Sequence, residues 1–282
     1  MDRPVALSLA RRGGLDIPAR ISDPALIGTL RAPLAPPRSV WTWDKINTLE
    51  VRLRDPDGQL ASVSDLQLLN GRNAALVVDA DGGAELIQFR DVTPLGNDIY
   101  RLSTLLRGRR GSEARLAHAP GAVIVVLEDD GALFTEPLGL VGQKLRYRGV
   151  GRGEAFDEAD TVTQTLRGTD LKPYAPAHVG GAWTAAGITI SWRRRTRIGG
   201  DWRDGTGTVP LAEAAEAYEV DVLDSAGDVV RVLESVTPSV LYAAADAEAD
   251  FGAVLGTLTL RVHQISAAVG RGFPATAILQ ET

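Results

Sequence analysis

The chain has 282 residues, 44% of them hydrophobic, with 30 Lys and Arg against 36 Asp and Glu for a formal net charge of -6 and a pI near 5.2. That is apolar material for a real core and about two domains, and the acidic balance excludes a strongly basic nucleic-acid footprint. Cysteine is absent, which excludes disulfides, thiolate metal sites and cysteine nucleophiles; the apolar runs are far below membrane-spanning length.

Residues 1–40 hold prolines at 4, 18, 24, 33, 36 and 37 and little periodicity. The short apolar run near the start has Arg on both sides, unlike a signal peptide. Pro36-Pro37 favours an extended path. The stretch reads as an extended N-terminal arm on the domain or a neighbouring subunit, or else as a disordered leader.

From Trp41 the character changes. Leu49, Val51 and Leu53 alternate with Glu50, Arg52 and Arg54, the pattern of a half-buried strand, and Asp55-Pro56-Asp57-Gly58 turns it. Ala74 to Asp79, the Asp81-Gly82 turn and Glu85 to Arg90 read as a hairpin. Ala122 to Leu127 is an apolar, β-branched central strand, and further strands follow at Leu140 to Gly149 and Thr161 to Arg167. Ser62 to Leu69 is the one plausible helical turn. The expectation over residues 41–170 is an antiparallel β-barrel or meander.

Tyr100 to Glu113 is the most informative stretch. It starts as a strand, with Tyr100, Leu102, Thr104 and Leu106 alternating against Arg101, Ser103, Leu105 and Arg107. It ends as a loop in which Gly108 and Gly111 bracket Arg109 and Arg110. Two readings stand: a surface loop whose Arg side chains pair with local carboxylates such as Glu113 or Asp91, or a contact loop in which Arg107, Arg109 and Arg110 dock on an acidic partner.

Residues 171–282 open with the Pro-rich Leu171 to Ala177 and continue as an all-β pattern. Ile188, Ile190 and Trp192 face one way, and a buried Trp on an early strand suits a sandwich core. Strands follow at Tyr218 to Leu223, Val229 to Leu233, Leu258 to Ile265 and Ala275 to Leu279. In pattern and anchors this region resembles a fibronectin type III domain, which serves mostly as a spacer or binding module.

Residues for catalysis are sparse. His118, His178 and His263 are far apart and form no metal-binding spacing, and no G-x-S-x-G elbow accompanies them. Asp79-Ala80-Asp81-Gly82 lacks the later ligands of a calcium loop and reads as a turn. Glu128-Asp129-Asp130 reads as a strand-end turn rather than a glycosidase pair. The glycines of 149–153 precede no Lys-Ser/Thr, so phosphate binding is unsupported. The run Arg193-Arg194-Arg195-Thr196-Arg197 is either a locally paired face or a polyanion contact. Trp202, Arg203, Arg271 and Phe273 are candidate glycan contacts, since Arg and aromatic groups in loops stack on and hydrogen-bond to sugars.

The segment R-L-S-T-L-L-R-G-R-R-G-S-E resembles a signature in the C-terminal region of tail-tip hub, or "host specificity", proteins of siphophages and gene transfer agents. Leu68 to Leu76 (L-L-N-G-R-N-A-A-L), Glu85 to Phe89 (E-L-I-Q-F) and Val262 to Ala275 (V-H-Q-I-S-A-A-V-G-R-G-F-P-A) agree with it, in the same order. Family members are often much longer, with an upstream barrel-like region this chain lacks, so no activity of that region carries over. The resemblance implies a non-enzymatic virion component at the tail tip, assembled in the host cytoplasm. Its partners would be other tail-tip or baseplate proteins, with a homotrimer in the assembled tail. It implies no cofactor, metal, nucleic acid or membrane span. The alternative is a module binding host-surface capsule or lipopolysaccharide; a cell-wall or capsule hydrolase is the weakest reading.

Overall fold

Alternating apolar and polar residues make antiparallel strands the main regular element of this chain, in a computed structural model that describes residues 25–127, 136–150, 155, 157–199, 208–253 and 255–281. The chain divides into two units, Met1–Gly168 and Thr169–Thr282.

The first unit contains β1 (Ile27–Leu30), β2 (Leu49–Leu53), β3 (Ala74–Val78), β4 (Ala84–Gly96), β5 (Ile99–Leu106) and β6 (Val123–Leu127). They close into a barrel in the order β1-β2-β5-β4-β3-β6, with β6 pairing back to β1. Closure leaves no sheet edge to pair with another chain. Leu30, Leu49, Val51, Val77, Ile87, Phe89, Leu102, Leu105 and Ile124 fill the interior. Asn97 and Asp98, at φ 52° and 60°, join β4 to β5 in the twist that suits a two-residue hairpin turn. A five-residue helix, α1 (Asp65–Leu69), starts at a capping box in which the Ser64 hydroxyl accepts from the Gln67 N–H while the Gln67 side chain accepts from the Ser64 N–H.

β1 lies inside the stretch expected to be an arm, so the barrel begins at Ile27 rather than near Trp41. Four residues flanked by prolines are too few to show a period. Gly28 is required here: a Cβ would stand 2.5 Å from Val51 Cγ1 and 2.8 Å from the Arg52 carbonyl. Beyond the barrel strands, β7 (Lys144–Arg148) and β8 (Thr161–Thr165) form a two-stranded sheet.

The second unit is a sandwich. One sheet holds β9 (Ala177–Thr184), β10 (Gly187–Arg193) and β13 (Ser239–Ala243), in the order β13-β10-β9. The other runs β12 (Val229–Ser235), β11 (Tyr218–Leu223), β14 (Thr257–Ser266), with β15 (Gly270–Arg271) and β16 (Ala275–Gln280) both pairing to β14. Ile188, Ile190 and Trp192 from the first sheet meet Val220, Val222, Leu260 and Val262 from the second. Trp192 packs edge-on against Tyr218, with ring centroids 5.0 Å apart. This is the expected fibronectin type III-like sandwich. The sequence pattern did not show β13 or the helix after it, α2 (Ala244–Phe251).

Candidate functional site

The loop after β5 is built by an irregularity inside the strand. Thr104 has φ 55°, a left-handed conformation that is an outlier for a β-branched residue. Its hydroxyl donates to Asp91 Oδ2, and Arg90 in turn donates to both oxygens of Asp91 and to Asp65. The Arg90 and Thr104 donors hold the Asp91 carboxyl below the usual carboxylate range. Past this point the alternation is inverted. Leu102 is in the core, and so is Leu105; Arg107, two residues on, follows Leu105 inward.

Arg107 is accordingly the largest fully buried side chain among the described residues, not a docking residue, which corrects the expectation for it. Its Nε and Nη2 each lie 2.8 Å from an oxygen of Glu85, a bidentate pair with both side chains 0% exposed. Nη1 donates to the Ala35 carbonyl at 3.1 Å and to Asp44 Oδ2 at 3.3 Å, and Nη2 to the Leu116 carbonyl at 2.6 Å. Four chain segments therefore meet on one guanidinium. Burial works against ionisation of Asp44, but the Asn47 and Ile46 N–H groups, the Asn47 amide and Arg107 together keep its carboxyl below the usual range.

His118 extends the cluster. Its Nε2 lies 2.9 Å from Glu85 Oε2 and its Nδ1 3.0 Å from Asp79 Oδ2, with the ring fully buried. Asp79 and Asp81 sit at the β3–β4 turn, where Arg115 pairs with Asp81 across Gly83. The acidic turn is thus tied to the charge network. The signal for the network was present: Glu85 shares a strand face with Ile87 and Phe89, and a carboxylate on an apolar face needs a buried cation.

The loop itself places its other two arginines outside. Arg109 is exposed and its Nε donates to Gln88 Oε1 at 3.0 Å. Arg110 is exposed with φ 51°, between Gly108 at 58° and Gly111 at 80°. Glu85 Oε1 accepts from the Gly108 N–H at 2.7 Å, so the loop is anchored directly on the buried cluster. A Cβ on Gly108 would meet Val40 Cγ1 at 3.1 Å, which places the 40–46 segment beside the loop; in that segment Trp41 is 59% and Ile46 71% exposed.

In the sandwich, Arg271 pairs with Glu219 and with Asp221, whose side chain is almost wholly buried. Phe273 donates its N–H to the Pro173 carbonyl and its ring carries Lys172 Nζ at 5.7 Å. Phe273 is thus engaged in holding the Pro-rich entry segment, and a glycan at Arg271 would compete with two carboxylates. Trp202 and Arg203 lie outside the described residues, as do Glu128 to Asp130; the 149–153 glycines are described only at Gly149. The arginine run is locally paired. Arg194 binds Glu216 and the Val209 carbonyl, Arg195 the Ala175 carbonyl, and Arg197 Glu213 and the Ala212 carbonyl. His263 Nδ1 donates to the Gly272 carbonyl at 3.1 Å. Among the described residues no helix is long and apolar enough to cross a membrane.

The model of a family described as Rcc01698-like, C-terminal, matches residues 25–125. The matched stretch opens just before β1 and ends within β6, and so contains the Arg107 cluster and its loop. No curated protein matches the chain.

Proposed function

We propose that this chain is a non-enzymatic structural component of a phage or gene-transfer-agent tail tip, acting in tail assembly and host attachment beside other tail-tip or baseplate proteins, as a homotrimer in the assembled tail. The observation that carries this reading is the coincidence of the family match with the barrel, together with the presentation of Arg109 and Arg110 on a loop anchored to a buried ion cluster. Rigid Arg and aromatic groups are what strong protein contacts use, and exposed Trp41 lies on the segment beside the loop. His118 has both nitrogens at carboxylates within the buried cluster, which supports a structural role for it.

The test is deletion of the gene from a particle-producing strain and complementation in trans. Loss of complete, adsorbing particles on deletion, restored by the native chain and not by a variant with Arg109→Glu and Arg110→Glu, supports the proposal. Normal particles and normal adsorption after deletion overturn it.

A further inference from the structure

The β7–β8 sheet carries a surface that the barrel and the sandwich do not account for. Its register sets Lys144 opposite Thr165, Arg146 opposite Thr163 and Arg148 opposite Thr161. With a period of two, these six residues share one face, while Leu145, Tyr147, Val162 and Gln164 share the other. Lys144, Arg146, Thr161 and Thr163 are exposed, so the cation–hydroxyl face is open; on the other face Leu145 is buried at 4% exposure while Val162 and Gln164 are exposed.

We propose that this face binds a linear anionic polysaccharide, a reading that does not depend on the tail-tip assignment. Successive cations on a strand are spaced about 6.7 Å apart, so a chain lying along β7 meets Lys144 and Arg146 in turn with a threonine hydroxyl beside each. Arg148 is already engaged: its Nε donates to Thr161 Oγ1 at 2.8 Å and its Nη1 lies 3.5 Å from Asp157 Oδ1. Asp157 and Asp160 mark that end as the boundary of the site, and Lys144 and Arg146 are its anchors. The hydroxyl row suits the hydroxyl groups of sugars. Nucleic acid fits less well, because single-strand binding relies on aromatic platforms; on the two strands themselves the one ring, Tyr147, lies on the opposite face. A two-stranded sheet is marginal on its own in water, so a bound ligand also has a structural effect here, stabilising the hairpin by mass action.

The experiment is titration of the full chain with polygalacturonate, with its fully methyl-esterified neutral form, and with single-stranded DNA of matched charge, at low and high salt. Saturable binding to the polyuronate alone, weakened by salt and at least tenfold weaker in the Lys144→Gln, Arg146→Gln double variant, is expected. A charge-matched control, Lys45→Gln with Arg54→Gln, removes two exposed cations of the barrel unit and should bind as the native chain does. Circular dichroism of both variants confirms that exposed substitutions leave the fold intact. Absence of polyuronate binding, equal loss in both variants, or tighter binding to DNA would each overturn the assignment.

Discussion

Thr104 and Arg107 are three residues apart, and the left-handed backbone of the first accounts for the inward direction of the second. With φ 55° at Thr104 the strand loses its simple alternation, and Leu105 and Arg107 enter the barrel together. The Thr104 hydroxyl is fixed by Asp91, so the irregularity is held by a charge-assisted hydrogen bond. Replacing Thr104 by Val keeps the shape and removes the donor. The barrel should lose about 1.5–3 kcal/mol, measured by urea unfolding, while Thr104→Asn, which tolerates a positive φ and retains a donor, should cost much less.

Removing Arg107 leaves Glu85 buried without its cation. Arg107→Ala should destabilise the barrel by about 3–5 kcal/mol. The paired replacement Arg107→Met with Glu85→Leu should cost far less than the two single changes summed, because contacting partners are not additive. Denaturant midpoints of the single and double variants check this.

Arg110 occupies a conformation that favours glycine. Arg110→Gly should raise stability by about 0.5–1 kcal/mol, the relief of the left-handed cost less the added freedom of the unfolded chain. If its guanidinium meets a partner, the same variant should weaken that association. Opposite signs in thermal melting and partner binding distinguish a contact residue from a turn residue.

Much of this was legible in the sequence. The Asp81-Gly82 hairpin, the central Ala122 to Leu127 strand and the inward face of Ile188, Ile190 and Trp192 follow from period-two patterning and turn chemistry. What failed did so for local reasons. Arg107 looked exposed because alternation was continued through Thr104, and a positive φ at a β-branched residue leaves no trace in composition. Asp44, a partner of Arg107, and His118, which shares Glu85 with it, come from distant segments of the chain, which no local pattern reports. β1 was hidden by its four-residue length among prolines, and Arg271 seemed a loop residue because its partners Glu219 and Asp221 are on another strand.

Both units carry carboxyls that respond at the acid end of the pH scale, and the second also carries tyrosines that respond at the alkaline end. The carboxyls of Asp44 and Asp91 in the first, and of Asp250 in the second, are held low; for Asp250 the chief cause is Arg231. A depressed value means stabilisation that is complete above about pH 3.9 and is lost as pH falls through the lower folded-state value. Burial, reinforced by Glu216 and Asp250 respectively, raises the hydroxyls of Tyr218 and Tyr242. Their stabilisation is complete below about pH 10 and is lost as pH rises toward the folded-state values. Ultraviolet titration should find these two sandwich tyrosines un-ionised past pH 10 until the sandwich unfolds; their ionisation in the still-folded chain would contradict the burial argument.

Location in the particle tests the central claim most directly. Gold-labelled antibody against this chain, applied to intact tailed particles from the producing cell and viewed by electron microscopy, should decorate one end of the tail and no other part. Particles that carry no label, or label spread along the capsid and tail shaft, would contradict the assignment of this barrel and sandwich to the tail tip.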